Sequence, residues 1–234
     1  MLLDLLVKPI VLNSAALAEA ITGDVPTAEL VHRIRGSPQQ SKRLLEELAR
    51  HRDPVVRAWV LGVARTVLGK DGVPLMLRLA RKDRDTDVRD VAIEELLELD
   101  RDAAQSLIPL FRERLGSSDP FESLTAMWAL GAIGDQASID LIRAKISGRQ
   151  PDALDRITGE VVIMMLANPS EIPRLVREHD HERMPWLSKA ARLLGTVEAA
   201  GALRSCLENA PDSQCRDQCR ADLERLEARA IQTP

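Results

Sequence analysis

Aromatic residues are scarce in this sequence. Among 234 residues there is no tyrosine, and two phenylalanines with three tryptophans make up only 2% of the chain. β-Sandwiches and barrels draw on aromatic and β-branched residues for their strands. Here leucine and alanine, both good helix formers, dominate a hydrophobic content of 45%. The composition therefore predicts an all-α protein, and it argues against aromatic cages and base-stacking surfaces.

An excess of positive charge is also missing. The chain carries 32 lysines and arginines against 36 aspartates and glutamates, which gives a net charge of −4. Because sequence-independent binding to nucleic acid needs a basic surface, a nucleic-acid partner is not favoured. No apolar run has the length of a membrane span, so we expect no membrane association. These features favour a cytoplasmic protein.

Only three cysteines are present, and all lie near the C-terminus: Cys206, Cys215 and Cys219. A metal site would need further ligands, and no other cysteine or histidine lies nearby in the sequence. The favoured interpretation is buried, reduced thiols in a cytoplasmic protein. The alternative is a disulfide between Cys206 and either Cys215 or Cys219, and the sequence does not choose between the two.

Catalytic motifs are absent from the sequence. There is no Gly-x-Ser-x-Gly elbow, no glycine-rich phosphate loop and no His-Glu-x-x-His motif. The segment from Glu178 to Glu182 concentrates metal-ligand residue types, but a solvated turn explains it better. We therefore predict no catalytic residue, no metal and no cofactor, and enzyme activity is not favoured.

Internal repeats are the strongest positive signal. Asp53-Pro54-Val55-Val56-Arg57 reappears as Asp85-Thr86-Asp87-Val88-Arg89, and further copies open at Asp119 and Asp152. The leading aspartates are separated by 32, 34 and 33 residues. Weaker copies lie at residues 187–195 and from residue 212, with Gly195 aligned two repeats after Gly131. A period of this length is typical of stacked helical repeats.

Each copy has the pattern of a helix, a short turn and a second helix. The leading aspartate suits the N-terminal cap of the first helix, and Pro54 and Pro120 occupy the next position, where proline is tolerated. Second helices are predicted to begin near residues 73, 108, 139, 172 and 200. Residues 1–52 are predicted to form an N-terminal cap and a degenerate repeat, with helices at 15–21, 27–34 and 40–50. Residues 53–211 hold the repeats, and residues 212–234 form a C-terminal capping helix with a polar side and a tail.

The succession Asp-x-x-Val-Arg, Ala-Leu-Gly-x-Ile-Gly-Asp and apolar-Pro-Leu resembles the HEAT-like repeats of the bilin-lyase type. The resemblance covers roughly residues 53–226. It implies a right-handed α-solenoid of about five to six antiparallel helix pairs, with first helices on the convex side and second helices on the concave side. Ser123 and Leu187 depart from the pattern, because they stand where Arg57 and Arg89 stand in other copies. Such repeats serve many roles, so the resemblance implies an architecture more than a function.

Positive charge recurs along the second helices, whereas the first helix of the second repeat is rich in acids. Alignment of the second helices places Arg112, Arg143 and Arg204 in one column, with the other basic residues at neighbouring positions. The candidate binding residues are Arg78, Arg112, Arg114, Arg143, Lys145, Arg177 and Arg204. Stacked repeats would gather them into one mildly basic surface for an acidic segment. The alternative is a set of solvated faces with weak ion pairs.

The sequence thus predicts a non-enzymatic scaffold or adaptor that binds a protein partner through its second helices. One alternative is a bilin-lyase-like enzyme subunit or chaperone that handles a linear tetrapyrrole, and another is a DNA-acting solenoid. The oligomeric state is open. The three tryptophans fall on first helices and are expected to pack in the core, and both Trp128 and Leu130 are expected to be buried.

Overall fold

The computed structural model describes residues 14–22, 31, 34, 38–148, 153–178, 180, 182–210 and 212–232. All regular structure in these residues is helical, which confirms the predicted all-α, HEAT-like fold. The helices are α1 (Ser14–Thr22), α2 (Pro38–Leu48), α3 (Pro54–Leu68), α4 (Val73–Lys82), α5 (Thr86–Leu99), α6 (Ile108–Arg114), α7 (Pro120–Ile133), α8 (Ile139–Ile146), α9 (Ala153–Ala167), α10 (Glu171–Arg177), α11 (Met184–Leu194), α12 (Val197–Asn209) and α13 (Ser213–Gln232). A single α-helical turn at Arg101–Ala104 and three short 3-10 helices lie in the connections. Nothing in the described part of the chain is a helix both long and apolar enough to cross a membrane.

The chain divides into two compact units, residues 1–95 and residues 96–234. In the first unit, α1 contacts both α2 and α3, which pack against each other. The predicted cap of α3 is confirmed, since the Asp53 side chain accepts a hydrogen bond from the Val55 backbone N–H at 2.9 Å. Helices α1 and α2 match two of the helices predicted before residue 53, while the helix predicted at 27–34 lies mostly outside the described residues.

The repeat-motif arginine of α3 joins two turns of the first unit. Arg57 forms a two-pronged ion pair with Asp83, at 2.8 Å from Nε to Oδ2 and 2.7 Å from Nη2 to Oδ1. Its Nη1 also donates to the carbonyls of His51 and Arg52, at 2.9 and 3.0 Å. Both charged side chains are 4% exposed. The arginine therefore locks the turn before α3 to the turn after α4.

In the second unit, α7 forms the centre of the core. Its residues from Ala126 to Ala132 are all buried, and α6, α9 and α11 each contact it. A helix that is apolar on all sides is suited to such a position. Trp128 is 7% exposed and Leu130 is fully buried, as predicted. Trp186 is held by a hydrogen bond from its indole N–H to Thr158, at 3.1 Å.

Two contacts of the second unit join parts of the chain that do not belong to adjacent repeats. Arg192 of α11 pairs with Glu98 at the end of α5, although 94 residues separate them. Arg101 donates to the carbonyl of Leu193, 92 residues away. Simple stacking of repeats makes contacts only between neighbours.

The fifth repeat has a different register from the predicted one. Gly195 ends α11 in the left-handed conformation, with φ 69°, and Gly134 ends α7 in the same way, with φ 83°. Gly195 therefore corresponds to Gly134 and not to Gly131, which lies inside α7. Helix α12 begins at Val197, earlier than predicted, because the Thr196 side chain accepts a hydrogen bond from the Ala199 N–H at 3.2 Å.

Helices α12 and α13 are joined by a disulfide between Cys206 and Cys219, whose Cα atoms are 6.3 Å apart. The prediction of reduced thiols is therefore wrong for these two residues, and Cys215 is the free, buried cysteine. Close packing of α12 on α13 brings the two sulfurs together. The predicted polar side of α13 is also wrong at Asp222, which is 3% exposed and pairs with Arg192.

Candidate protein-binding surface on the second helices

The seven predicted binding residues are divided between the two units. Arg78 lies on α4 in the first unit, where it pairs with Glu46 at 2.7 Å. The other six lie on α6, α8, α10 and α12 of the second unit. These four second helices form the candidate surface, and α10 and α12 pack directly against each other.

Two of the six residues are buried or partly buried. Arg114 is only 8% exposed, and Lys145 forms an ion pair with the largely buried Asp155 at 3.3 Å. Each follows an exposed arginine by two residues, and two residues turn an α-helix by about 200°. Arg114 and Lys145 therefore face the core side of α6 and α8 and add no charge to the exposed surface.

Arg112 on α6 is held firmly by the turn that follows α7. Its guanidinium binds both carboxylate oxygens of Asp135, with Nη2–Oδ1 at 2.8 Å and Nε–Oδ2 at 3.0 Å. The same Nε lies 3.1 Å from the Ser138 hydroxyl. Asp135 is only 10% exposed, so this pair is partly sheltered from solvent. Arg112 is therefore fixed in place, and its charge is largely neutralised by Asp135.

Arg143 and Arg204 are held loosely. Arg143 pairs with Asp140 of its own helix at 3.3 Å, and Arg204 pairs with Glu227 of α13 at 2.8 Å. The two arginine side chains are 59% and 54% exposed. Exposed pairs of this kind contribute about 0–1 kcal/mol. A carboxylate from a partner can therefore replace either acid at little cost.

Helix α10 carries two arginines, of which one is paired with acids and the other is not. Hydrogen bonds from Arg174 to Glu171 and Glu178 neutralise its charge, raise the pKa of Arg174 and lower the pKa of Glu171. Arg177 is exposed, and within the described ranges it has no ion pair. The net positive charge of this helix therefore lies at Arg177.

A buried ionic cluster in the same unit was not predicted. Arg192 lies between Glu98 and Asp222, and its Nε donates to Asp222 at 2.9 Å. Glu98 belongs to the acid-rich first helix of the second repeat, and its side chain is 11% exposed. No local sequence signal connects residues so far apart in the chain. In this cluster one arginine pairs with two acids, and the contacts fix α11 against the end of α5 and against α13.

The second unit also contains a depression beside its free cysteine. A depression of about 290 Å³ lies beside Met184, Asp212 and Cys215. Burial and a hydrogen bond with Asp212 raise the pKa of the Cys215 thiol, which disfavours the nucleophilic thiolate. Among the residues that the structure describes, no three His, Cys, Asp or Glu side chains lie together as metal ligands. His179 and His181 lie outside those residues.

Comparison with known proteins supports the repeat architecture. Residues 73–158 match the family model of HEAT repeats, and this segment extends from the start of α4 into α9. No curated protein matches the chain. The match includes the motif copies that open at Asp85 and Asp119, and it does not distinguish the bilin-lyase type. The match identifies HEAT repeats in residues 73–158, and the helix pairs of the structure agree with it.

Proposed function

We propose that this chain is a non-enzymatic scaffold that binds an acidic segment of a protein partner through the second helices of residues 96–234. The observation that carries the proposal is the placement of exposed arginines on four successive second helices: Arg112, Arg143, Arg177 and Arg204. Helical repeats present extended surfaces on which partner chains bind.

Carboxylates are the chemical group that fits these positions best. A guanidinium group is planar and donates two parallel hydrogen bonds to one carboxylate. Arg177 is ready for such a contact, and the exposed partners of Arg143 and Arg204 can be exchanged. Arg112 keeps its bond to Asp135, so we expect it to contribute less than Arg143 and Arg177.

Binding through exposed charges is expected to depend on ionic strength. At 0.15 M salt the screening length is about 8 Å, so contacts on an open surface weaken as salt is added. Charged contacts of this type affect association rate and specificity more than they affect affinity. A moderate, salt-sensitive affinity is therefore expected.

Reducing and oxidising compartments are both compatible with this binding mode. The sequence favours the cytoplasm, whereas the Cys206–Cys219 disulfide is of a kind that persists in oxidising compartments. Binding of an acidic segment by surface arginines operates in either environment.

The test is a titration of the protein into a fluorescein-labelled peptide of ten glutamates, followed by fluorescence anisotropy. The double variant Arg143→Glu/Arg177→Glu is expected to weaken binding at least tenfold. The matched control is Lys42→Glu/Arg43→Glu, which makes the same charge change on exposed positions of α2 and is expected to stay within twofold of the wild type. Equal losses in both variants would show that net charge alone attracts the peptide, and the proposed surface would be wrong.

A further inference from the structure

A second basic site lies in residues 1–95. A depression of about 380 Å³ is formed by the turn between α2 and α3 and by the end of α4 with the turn after it. Six of its ten lining residues are arginine or lysine: Arg50, Arg52, Arg57, Arg78, Lys82 and Arg84. Its volume is at the lower end of the range for small-ligand pockets, about 300–1,000 Å³.

The positive charge of this depression is only partly neutralised. Asp83 neutralises Arg57, and Glu46 neutralises Arg78. For the other four cations, which are all exposed, no ion pair is formed within the described part of the chain. Four positive side chains thus surround one depression in a protein whose net charge is −4. Clefts lined by one sign of charge concentrate ligands of the opposite sign.

The backbone beneath these cations is fixed. Arg57 binds the carbonyls of His51 and Arg52 and, on the other side, the carboxylate of Asp83. Arg84 donates from Nη2 to the carbonyl of Arg52. The turn before α3 and the turn after α4 are therefore tied together, and a ligand does not have to order them.

We propose that this depression binds a phosphate monoester. A phosphate monoester carries about −1.5 to −2 charges at pH 7 and three strong acceptor oxygens. A single carboxylate has one charge and two oxygens, so it leaves more of the four cations unpaired. Arginine forks match phosphate oxygens in pairs, and three of the four free cations are arginines. The site is distinct from the second-helix surface of residues 96–234, and only Arg78 belongs to both sets of candidates.

The test uses three probes at low salt: a labelled Gly-Gly-phosphoserine-Gly-Gly peptide, the same peptide with glutamate in place of phosphoserine, and inorganic phosphate as a competitor. The phosphopeptide is expected to bind at least tenfold more tightly than the glutamate peptide. Competition by inorganic phosphate would identify free phosphate as a sufficient ligand, whereas phosphopeptide binding without competition would identify the peptide-borne group. Equal binding of the two peptides, or no binding of either, would overturn the proposal.

Variants locate the site and separate it from the proposed scaffold function. Arg52→Gln/Lys82→Gln removes two exposed cations of the depression and is expected to weaken phosphopeptide binding at least tenfold without changing the melting temperature. Lys42→Gln/Arg43→Gln removes two exposed cations of α2 and should have less than a twofold effect. The second-helix variant Arg143→Glu/Arg177→Glu should retain phosphopeptide binding, so either proposal can fail without the other. A loss in the α2 control equal to that in Arg52→Gln/Lys82→Gln would refute a local site.

Discussion

Single glycines set how closely the core helices of the second unit approach each other. A Cβ atom added to Gly131 in α7 would lie 2.9 Å from Cγ1 of Val162 in α9. Gly159 in α9 faces Ile146 of α8, and a Cβ there would overlap its Cγ2. Because valine and isoleucine are branched at Cβ, these neighbours cannot easily turn away. The glycines are therefore packing positions and not flexible points.

Replacement of Gly131 by alanine is expected to destabilise the protein. Overpacking costs about 1–3 kcal/mol, and the better helix propensity of alanine returns at most about 1 kcal/mol. The control is Gly201→Ala in α12, where an added Cβ meets nothing within 4 Å. That change should stabilise by about 0.5–1 kcal/mol. Urea unfolding curves measure both, and stabilisation by Gly131→Ala would contradict the assigned packing of α7 on α9.

The Arg57–Asp83 pair makes stability depend on pH. Burial raises the pKa of Asp83, but hydrogen bonds from Arg57 and from the Asp85 backbone outweigh burial and leave the pKa below its usual value. A carboxyl group with a lowered pKa in the folded state stabilises the protein above its unfolded pKa of about 3.9. This contribution is lost as the pH falls through the lower, folded-state value.

Asp83→Asn is therefore expected to cost up to about 3–5 kcal/mol at pH 7, because it leaves a buried arginine without its carboxylate. The difference from the wild type should shrink as the pH falls below about 4. Asp71→Asn serves as the control, since Asp71 is exposed in the same unit. Unfolding free energies measured from pH 7 to pH 2.5 provide the test, and a difference that stays constant over that range would rule out this role for Asp83.

At the scale of single residues, local chemistry made part of the structure predictable. The caps at Asp53 and Asp119 follow from their own sequence, since each carboxylate accepts a hydrogen bond from the N–H two residues later. Gly131 and Gly195 show the limit of such reasoning. Gly131 permits close helix packing and Gly195 ends a helix, and the residue type alone does not distinguish these two roles.

At the scale of helices, the α12–α13 pair depends on a covalent link. The disulfide closes a loop between residues 13 apart in the sequence. A loop of this size is associated with about 3 kcal/mol of stabilisation in chain-entropy treatments. Packing of the apolar faces of α12 and α13 adds to the stabilisation by the disulfide.

Reduction with dithiothreitol is expected to lower the free energy of unfolding by about 2–3 kcal/mol. Cys219→Ser should abolish the effect of the reductant, whereas Cys215→Ser should keep it. Urea unfolding with and without reductant, on all three proteins, makes the comparison. Loss of the effect in Cys215→Ser would show that the cysteines are paired differently.

Charge placement on the second helices was predictable only in part. The repeat period aligns the helices, and this alignment was enough to place Arg112, Arg143, Arg177 and Arg204 on exposed positions. The alignment did not locate the acids that pair with these arginines. Asp135 lies 23 residues from Arg112, and Glu227 lies 23 residues from Arg204. Such pairs depend on how separate helices pack against each other, and no local sequence pattern predicts this packing.

At the scale of the molecule, the repeats account for the helices but not for all of their contacts. The repeat period predicted the helix pairs between residues 53 and 211, whereas the pairing of Glu98 with Arg192 requires contact between helices that are not adjacent repeats. Removing one partner of a buried ion pair is costly. Such contacts couple distant repeats of residues 96–234, so this unit is expected to unfold more cooperatively than a stack with nearest-neighbour contacts alone.

Cross-linking of a bound peptide decides whether the second helices of residues 96–234 bind acidic protein segments. A ten-residue glutamate peptide with a photoreactive group at its centre is bound to the full chain and irradiated, and its attachment sites are mapped by mass spectrometry. We predict cross-links within residues 139–146 and 171–177, on α8 and α10, and their loss in Arg143→Glu/Arg177→Glu. Cross-links confined to the first helices α7 and α9, or found only in residues 1–95, would contradict binding through the second helices.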